Sequence, residues 1–159
     1  MLNREQIFRG RGDESAFLWG PRQTGKSTLL KMLFPDAVYF DLLLANEYER
    51  FLKNFSLLRE ILEADTENHL VIIDEIQRLP ELLNEIQWLI VNRARRFILS
   101  GSSPRKIIRS GSNLLGGRAL RYELYPLIYR EIPEFDLIKA LNTGLLPRHY
   151  MAANVAKLH

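Results

Sequence analysis

Five short apolar runs punctuate the chain, separated by longer stretches in which apolar residues recur every three or four positions. Phe17-Leu18-Trp19, Ala37 to Leu42, Leu70 to Ile73, Arg96 to Ser100 and Arg118 to Leu124 are too short for helices and read as strands. The four consecutive apolar residues Leu70-Val71-Ile72-Ile73 predict a strand buried on both faces. Between the runs, Thr28 to Phe34 reads as a helix opening stopped by Pro35. Asn46 to Glu63 has Tyr48, Phe51, Leu52, Phe55, Leu58, Ile61 and Leu62 at helical spacing, with Asn54 and Ser56 as the place where it divides in two. Glu81 to Ala94 is an amphipathic helix, and Arg105 to Arg109 a short basic one. Arg9 to Asp13 reads as a turn and Gly111 to Gly117 as a loop. Pro126 fits the first turn of a helix through Arg130. The tail from Asp136 to His159 keeps helical spacing through Leu137, Leu141, Met151, Val155 and Leu158, interrupted by Gly144 and Pro147. Strands alternating with helices predict an α/β fold.

The link from the first strand to the first helix is not an ordinary turn. Gly20, Gly25, Lys26 and Ser27 stand at the spacing G-x-x-x-x-G-K-[ST] of a phosphate-binding loop, within Gly20-Pro21-Arg22-Gln23-Thr24-Gly25-Lys26-Ser27-Thr28. The glycines let the backbone approach a phosphate closely. The N–H groups of residues 23 to 28 can then face a polyphosphate at the positive end of the helix. Lys26 supplies a mobile cation for the outer phosphates, and Ser27 a hydroxyl oxygen for Mg²⁺. A glycine turn before an ordinary helix is the alternative, but an apolar strand before the loop and a helix after it are the context the motif requires.

A second polar signal ends the third run, where Asp74-Glu75 follow Ile73. Ligands of open α/β sheets bind outside the carboxyl ends of the strands. An acid placed there after a phosphate loop holds Mg²⁺, so Asp74 is the magnesium candidate. Glu75 is placed to polarise the water that attacks a γ-phosphate. The fourth strand ends in Ser100-Gly101-Ser102-Ser103. Ser100 or Ser102 could contact the γ-phosphate or the attacking water; the competing reading is a plain turn with Ser103 as a helix N-cap.

Composition adds limits. The 159 residues suit one compact domain, and the 47% apolar and 26% charged shares are ordinary for one. There is no cysteine, hence no disulfide framework or thiolate metal site. No run approaches a membrane span, and the N-terminus has no apolar signal core, so a soluble cytoplasmic protein is expected. Net charge is +3 but uneven: residues 1–80 carry 10 basic and 13 acidic side chains, residues 81–159 carry 12 and 6. From Arg93 to Arg121 there are eight cations and no acid. That run is either a solvated face or a weak nucleic-acid surface in which Arg105, Lys106 and Arg109 lie near the rim of the phosphate site.

Taken together, a phosphate loop after the first strand and Asp-Glu after the third describe a P-loop NTPase with an extra strand between the two motifs. The motifs also resemble those of the AAA-type (AAA+) ATPase domain of a prokaryotic family that carries a C-terminal domain of unknown function. The resemblance rests on Gly20 to Thr28, Val71-Ile72-Ile73-Asp74-Glu75-Ile76-Gln77, Leu99 to Ser103, Gly117-Arg118 and Leu124 to Leu127, and runs from about residue 2 to residue 147. It implies a three-layer α/β/α core with a parallel sheet in the order 5-1-4-3-2. It implies ATP and Mg²⁺ as cofactors, with Lys26, Ser27, Asp74 and Glu75 in the roles above. Ser100 or Ser102 takes the sensor position, and Arg118 matches an arginine that senses nucleotide in its own or a neighbouring subunit, which requires self-association. Family members continue into a helical, winged-helix-like region, so residues 1–135 are expected to form the ATPase core and 136–159 a helical tail opening a truncated C-terminal region. The expected activity is Mg-dependent ATP hydrolysis. The alternative is a nucleotide-dependent switch or DNA-associated binding module with little turnover. Asp74-Glu75 counts against a small-molecule kinase, and the lack of an Asn-Lys-x-Asp sequence against a GTPase.

Overall fold

The structure, a computed structural model, describes Arg4, residues 14–109 and residues 115–152. The predicted Arg9–Asp13 turn, residues 111–114 of the predicted loop, the side chains of Lys106 and Arg109, and the tail positions Val155, Leu158 and His159 lie outside that description.

Five strands, β1 (Ser15–Trp19), β2 (Val38–Asp41), β3 (Val71–Asp74), β4 (Phe97–Gly101) and β5 (Ala119–Glu123), form one parallel sheet. Their order is β2-β3-β4-β1-β5, the predicted 5-1-4-3-2 read from the other edge. Along β1, Phe17 lies opposite Leu99 on one side and Arg121 on the other.

Alternation along the strands sorts the core into two layers. Phe17, Trp19, Val71, Ile73, Phe97 and Leu99 face one side, where they pack with Phe51, Leu58, Leu62, Leu82, Ile86 and Leu89. Those partners come from α2 (Ala45–Lys53), α3 (Leu57–Ala64) and α4 (Leu82–Arg93). Leu18, Ile72 and Ile98 face the other side and meet Leu29 and Leu30 of α1 (Lys26–Leu33). A sheet covered on both faces needs apolar residues at every strand position, and β1, β3 and β4 are buried throughout. The edge strand β5 is mostly half-buried or exposed.

The break between α2 and α3 falls where Asn54 turns extended and its side chain accepts hydrogen bonds from the Ser56 amide and hydroxyl. The short basic helix forms as α5 (Arg105–Arg109). No helix starts at Pro126. Ile128 is extended, and only a 3-10 turn, Tyr129–Glu131, follows. Tertiary bonds override the local preference: Leu127 donates its amide to Leu145, and buried Glu131 accepts from the Ile128 amide and pairs with Arg4 at 3.1 Å. Residues 127–150 close a third, small cluster of Leu127, Ile132 and Tyr150, to which α6 (Leu137–Thr143) and α7 (Pro147–Tyr150) belong. Among the described residues, no helix is long and apolar enough to cross a membrane.

Candidate functional site

At the carboxyl end of β1 the chain cannot carry a side chain on Gly20, because a Cβ there would collide with the Leu124 carbonyl. The Gly20 amide instead donates to the Gly101 carbonyl at the end of β4. The loop then curls through two left-handed residues, Gln23 (φ 66°) and Gly25 (φ 91°). Buried Thr24 pins the curl by donating its hydroxyl to the Pro21 carbonyl at 2.9 Å, and Arg4 holds the Thr24 carbonyl from outside at 3.0 Å. No side chain caps α1, whose first turn begins at Lys26, so the helix start is built for an anion.

Lys26 is only 5% exposed. It is not the mobile cation expected from the sequence: its Nζ donates to the carbonyls of Gly20 (2.7 Å) and Pro21 (3.1 Å). Burial pushes its ammonium below the ordinary lysine range, with Glu75 and Asp74 opposing that shift.

Asp74 ends β3 with four donors on its carboxylate. Oδ2 accepts from the Ser27 hydroxyl at 2.5 Å and from the Tyr39 phenol at 2.6 Å. Oδ1 accepts from the Ser100 hydroxyl and from the Glu75 amide at 3.0 Å. Burial and the Asp74 carboxylate push the Tyr39 phenol well above the usual tyrosine range. Glu75 sits in the left-handed region (φ 59°), a strained conformation for a residue with a side chain. Its carboxylate accepts from the Gln77 side-chain amide, which also reaches the Ser102 hydroxyl at 3.2 Å. Gln77 fits because Gly101 has no Cβ: one there would collide with the Gln77 amide oxygen and the Trp19 ring.

These elements enclose a cavity of about 500 Å³ lined by Arg22, Gln23, Lys26, Ser27, Glu75 and Arg148, among others. A smaller, mainly apolar cavity of about 180 Å³ adjoins it, walled by Arg4, Leu29, Met32, Leu124 and Leu127; the two share Gly25, Thr28 and Pro147.

The predicted residues thus separate by position. Gly20 to Thr28, Asp74 and Glu75 meet at one end of the sheet. Ser100 reaches the site through Asp74, and Ser102 through Gln77. Ser103 accepts from the Arg105 amide at 3.3 Å, a local turn contact one residue ahead of the cap position of α5, which Pro104 holds. Arg118 precedes β5 at the opposite end of the sheet, on a cleft it shares with Glu14, Arg95 and Arg96. The acid-free basic run finds acids elsewhere in the chain: Arg93 pairs with Glu63, Arg95 with Asp65 and Arg121 with Glu123. Four site residues escaped the sequence reading as functional ones: Arg4, Tyr39, Gln77 and Arg148. Only Gln77, two places after Glu75, had a local signal.

For metal binding, the oxygens of Ser27 and Asp74 are the hard donors that Mg²⁺ takes, and one carboxylate plus one hydroxyl is the small protein share of a site completed by phosphates and water. Among the described residues no group of three or more His, Cys, Asp or Glu forms a metal cage of its own.

Comparison with known proteins agrees with the fold. No curated protein matches the chain in sequence. A solved structure of the replication initiator DnaA bound to AMPPCP and single-stranded DNA is similar in fold, with a TM-score of 0.58 and 16% identity. The match covers 89% of this chain and 54% of that one, so the chain spans about half the length of that protein. The model of the AAA domain family matches residues 13–133, which include every strand, the phosphate loop and Asp74-Glu75. The chain belongs to the AAA domain family.

Proposed function

We propose that the chain binds ATP with Mg²⁺ and hydrolyses it to ADP and phosphate. The observation that carries this reading is the convergence of Lys26, Ser27 and Glu75 on one cavity, with Asp74 hydrogen-bonded to Ser27. The amides at the start of α1 and the cations of Lys26 and Arg22 cradle the triphosphate. Arg148, exposed at the start of α7, adds a second guanidinium to the same cavity. Ser27 and Asp74 would hold Mg²⁺, which would offset the charge of the phosphates. Glu75 takes a proton from water as the water oxygen bonds to the γ-phosphorus and the bond to the β,γ-bridging oxygen breaks. Gln77 and Ser102 hold the Glu75 carboxylate in place. The apolar cavity against Leu29, Met32, Leu124 and Leu127 receives the base. Residues 1–135 act as the ATPase core and 136–159 as a helical tail, whose Pro147 and Arg148 line the phosphate cavity. The solved neighbour's nucleotide analogue supports nucleotide binding here, and its single-stranded DNA fits a weak nucleic-acid role for the Arg93–Arg121 run. A cytoplasmic location is part of the same proposal.

Calorimetry with Mg-ATP and a phosphate-release assay test this. ATP at a hundredfold over Kd should stabilise the protein by about 2.7 kcal/mol. Glu75→Gln should keep binding and lose about 10²- to 10⁴-fold in turnover. Lys26→Ala should lose binding. Equal turnover in wild type and Glu75→Gln removes Glu75 as the base, and a ligand-induced thermal shift that survives Lys26→Ala removes the phosphate role of Lys26.

A further inference from the structure

The hydrogen bond from Tyr39 to Asp74 joins β2 to the site, although nothing in the phosphate loop or the Asp-Glu pair calls for it. A carboxylate offers about four acceptor positions. In Asp74 all are taken: Ser27 and Tyr39 on Oδ2, Ser100 and the Glu75 amide on Oδ1. The donors are not equivalent. Ser100 is wholly buried and the Glu75 amide is main chain, so both stay on Oδ1. Ser27 is exposed and lines the cavity, so a cation bound directly to Asp74 Oδ2 would take the position now held by the Ser27 proton. Tyr39 is then the donor left on Oδ2. Its ring is fixed on both sides. It packs against the α1 core layer, and the Lys31 ammonium lies 4.7 Å from its centroid.

We propose that Tyr39 is a positioning residue for the magnesium-binding acid: its phenol would keep Asp74 Oδ2 in place when a cation takes the position of the Ser27 proton, and so sets how strongly Mg²⁺ strengthens nucleotide binding. This rests on the ATP and Mg²⁺ reading above. Partners one step removed from a metal typically govern about 10- to 100-fold in its affinity. Without the phenol, no donor would hold Oδ2 once the Ser27 proton has given up its position.

The test needs no turnover. ADP affinity is measured by calorimetry in excess Mg²⁺ and in EDTA, for wild type, Tyr39→Phe and Asp74→Asn. Tyr39→Phe keeps the ring, its packing and the Lys31 contact, and a melting curve without ligand verifies its fold. The expected result is a wild-type affinity raised by Mg²⁺, a rise smaller by about 10- to 100-fold in Tyr39→Phe, an unchanged affinity in EDTA, and no rise in Asp74→Asn. A Mg²⁺ effect equal in wild type and Tyr39→Phe overturns the proposal while leaving the ATP reading intact. An equal loss with and without Mg²⁺ makes Tyr39 a packing residue and also overturns it. Wild type that binds no ADP in either medium overturns the ATP reading and this proposal together.

Discussion

Asp65, His69 and Arg95 form a charged cluster at the end of the sheet away from the nucleotide site. Arg95 donates to Asp65 at 2.6 Å, and His69 Nδ1 lies 2.9 Å from the same carboxylate. The Arg95 guanidinium, helped by His69, lowers the Asp65 carboxyl from 3.8 to about 2. Asp65 in turn raises the His69 imidazole above its ordinary 6.5. The two shifts act on opposite sides of neutrality. The Asp65 contribution is present above pH 3.8 and is lost as pH falls toward 2; the His69 contribution is present below pH 6.5 and is lost as pH rises through the raised value. Melting temperature should therefore decline from pH 6 to pH 8.5 in wild type and decline less in His69→Gln. Parallel curves would remove His69 from the balance. At this scale the phosphate loop and Asp74-Glu75 were legible because their chemistry is written in consecutive residues. Tyr39, Arg4 and Arg148 were not, since each reaches the site from a segment far away along the chain. Lys26 was legible in identity but not in environment: the carbonyls that bury it belong to its own loop, whose curl depends on Thr24 and Arg4.

Elements follow local pattern wherever local pattern and packing agree. All five strands, α1, the α2–α3 break at Asn54, α4 and α5 stand where periodicity puts them, because every apolar stripe meets the sheet. The stretch after Pro126 departs from it. A helix there would withdraw Leu127 from its bond to Leu145 and Glu131 from Arg4. The joints between elements are tighter than their sequences show. Gly20 passes so close to the Leu124 backbone that Gly20→Ala must displace main chain. Overpacking of this kind costs about 1–3 kcal/mol. The urea midpoint of Gly20→Ala should fall accordingly and, because Leu124 also walls the apolar cavity, ATP affinity should fall with it. An unchanged midpoint would mean that the β1–β5 joint yields freely.

For the molecule as a whole, the sheet's polarity separates two sets of residues. The phosphate loop lies beyond the carboxyl ends of the strands and Arg118 before the amino end of β5, so a strand of about 16 Å stands between them. On the ATP reading, a γ-phosphate that Arg118 contacts would belong to another copy of the chain and not to its own site. Turnover per molecule should rise with protein concentration in wild type and stay flat in Arg118→Ala, with sedimentation reporting association in parallel. Turnover independent of concentration and unchanged by Arg118→Ala would remove the trans-acting role. The sheet order was legible only through resemblance, because strand neighbours that lie far apart along the chain leave no local trace.

That order also governs when the site can exist. β1 is inserted between β4 and β5, pairing Ala16 with Ile98 and Ser15 with Ala119. The phosphate loop hangs from the end of β1, yet its strand has its first neighbour only after Gly101 and both neighbours only once the chain has been made through Glu123. A ribosome must release most of the domain before nucleotide can bind, and long-range parallel pairing of this kind is slow to form. Nucleotide therefore cannot template the early steps of folding; it can only reward their completion, by trapping the closed sheet against reopening.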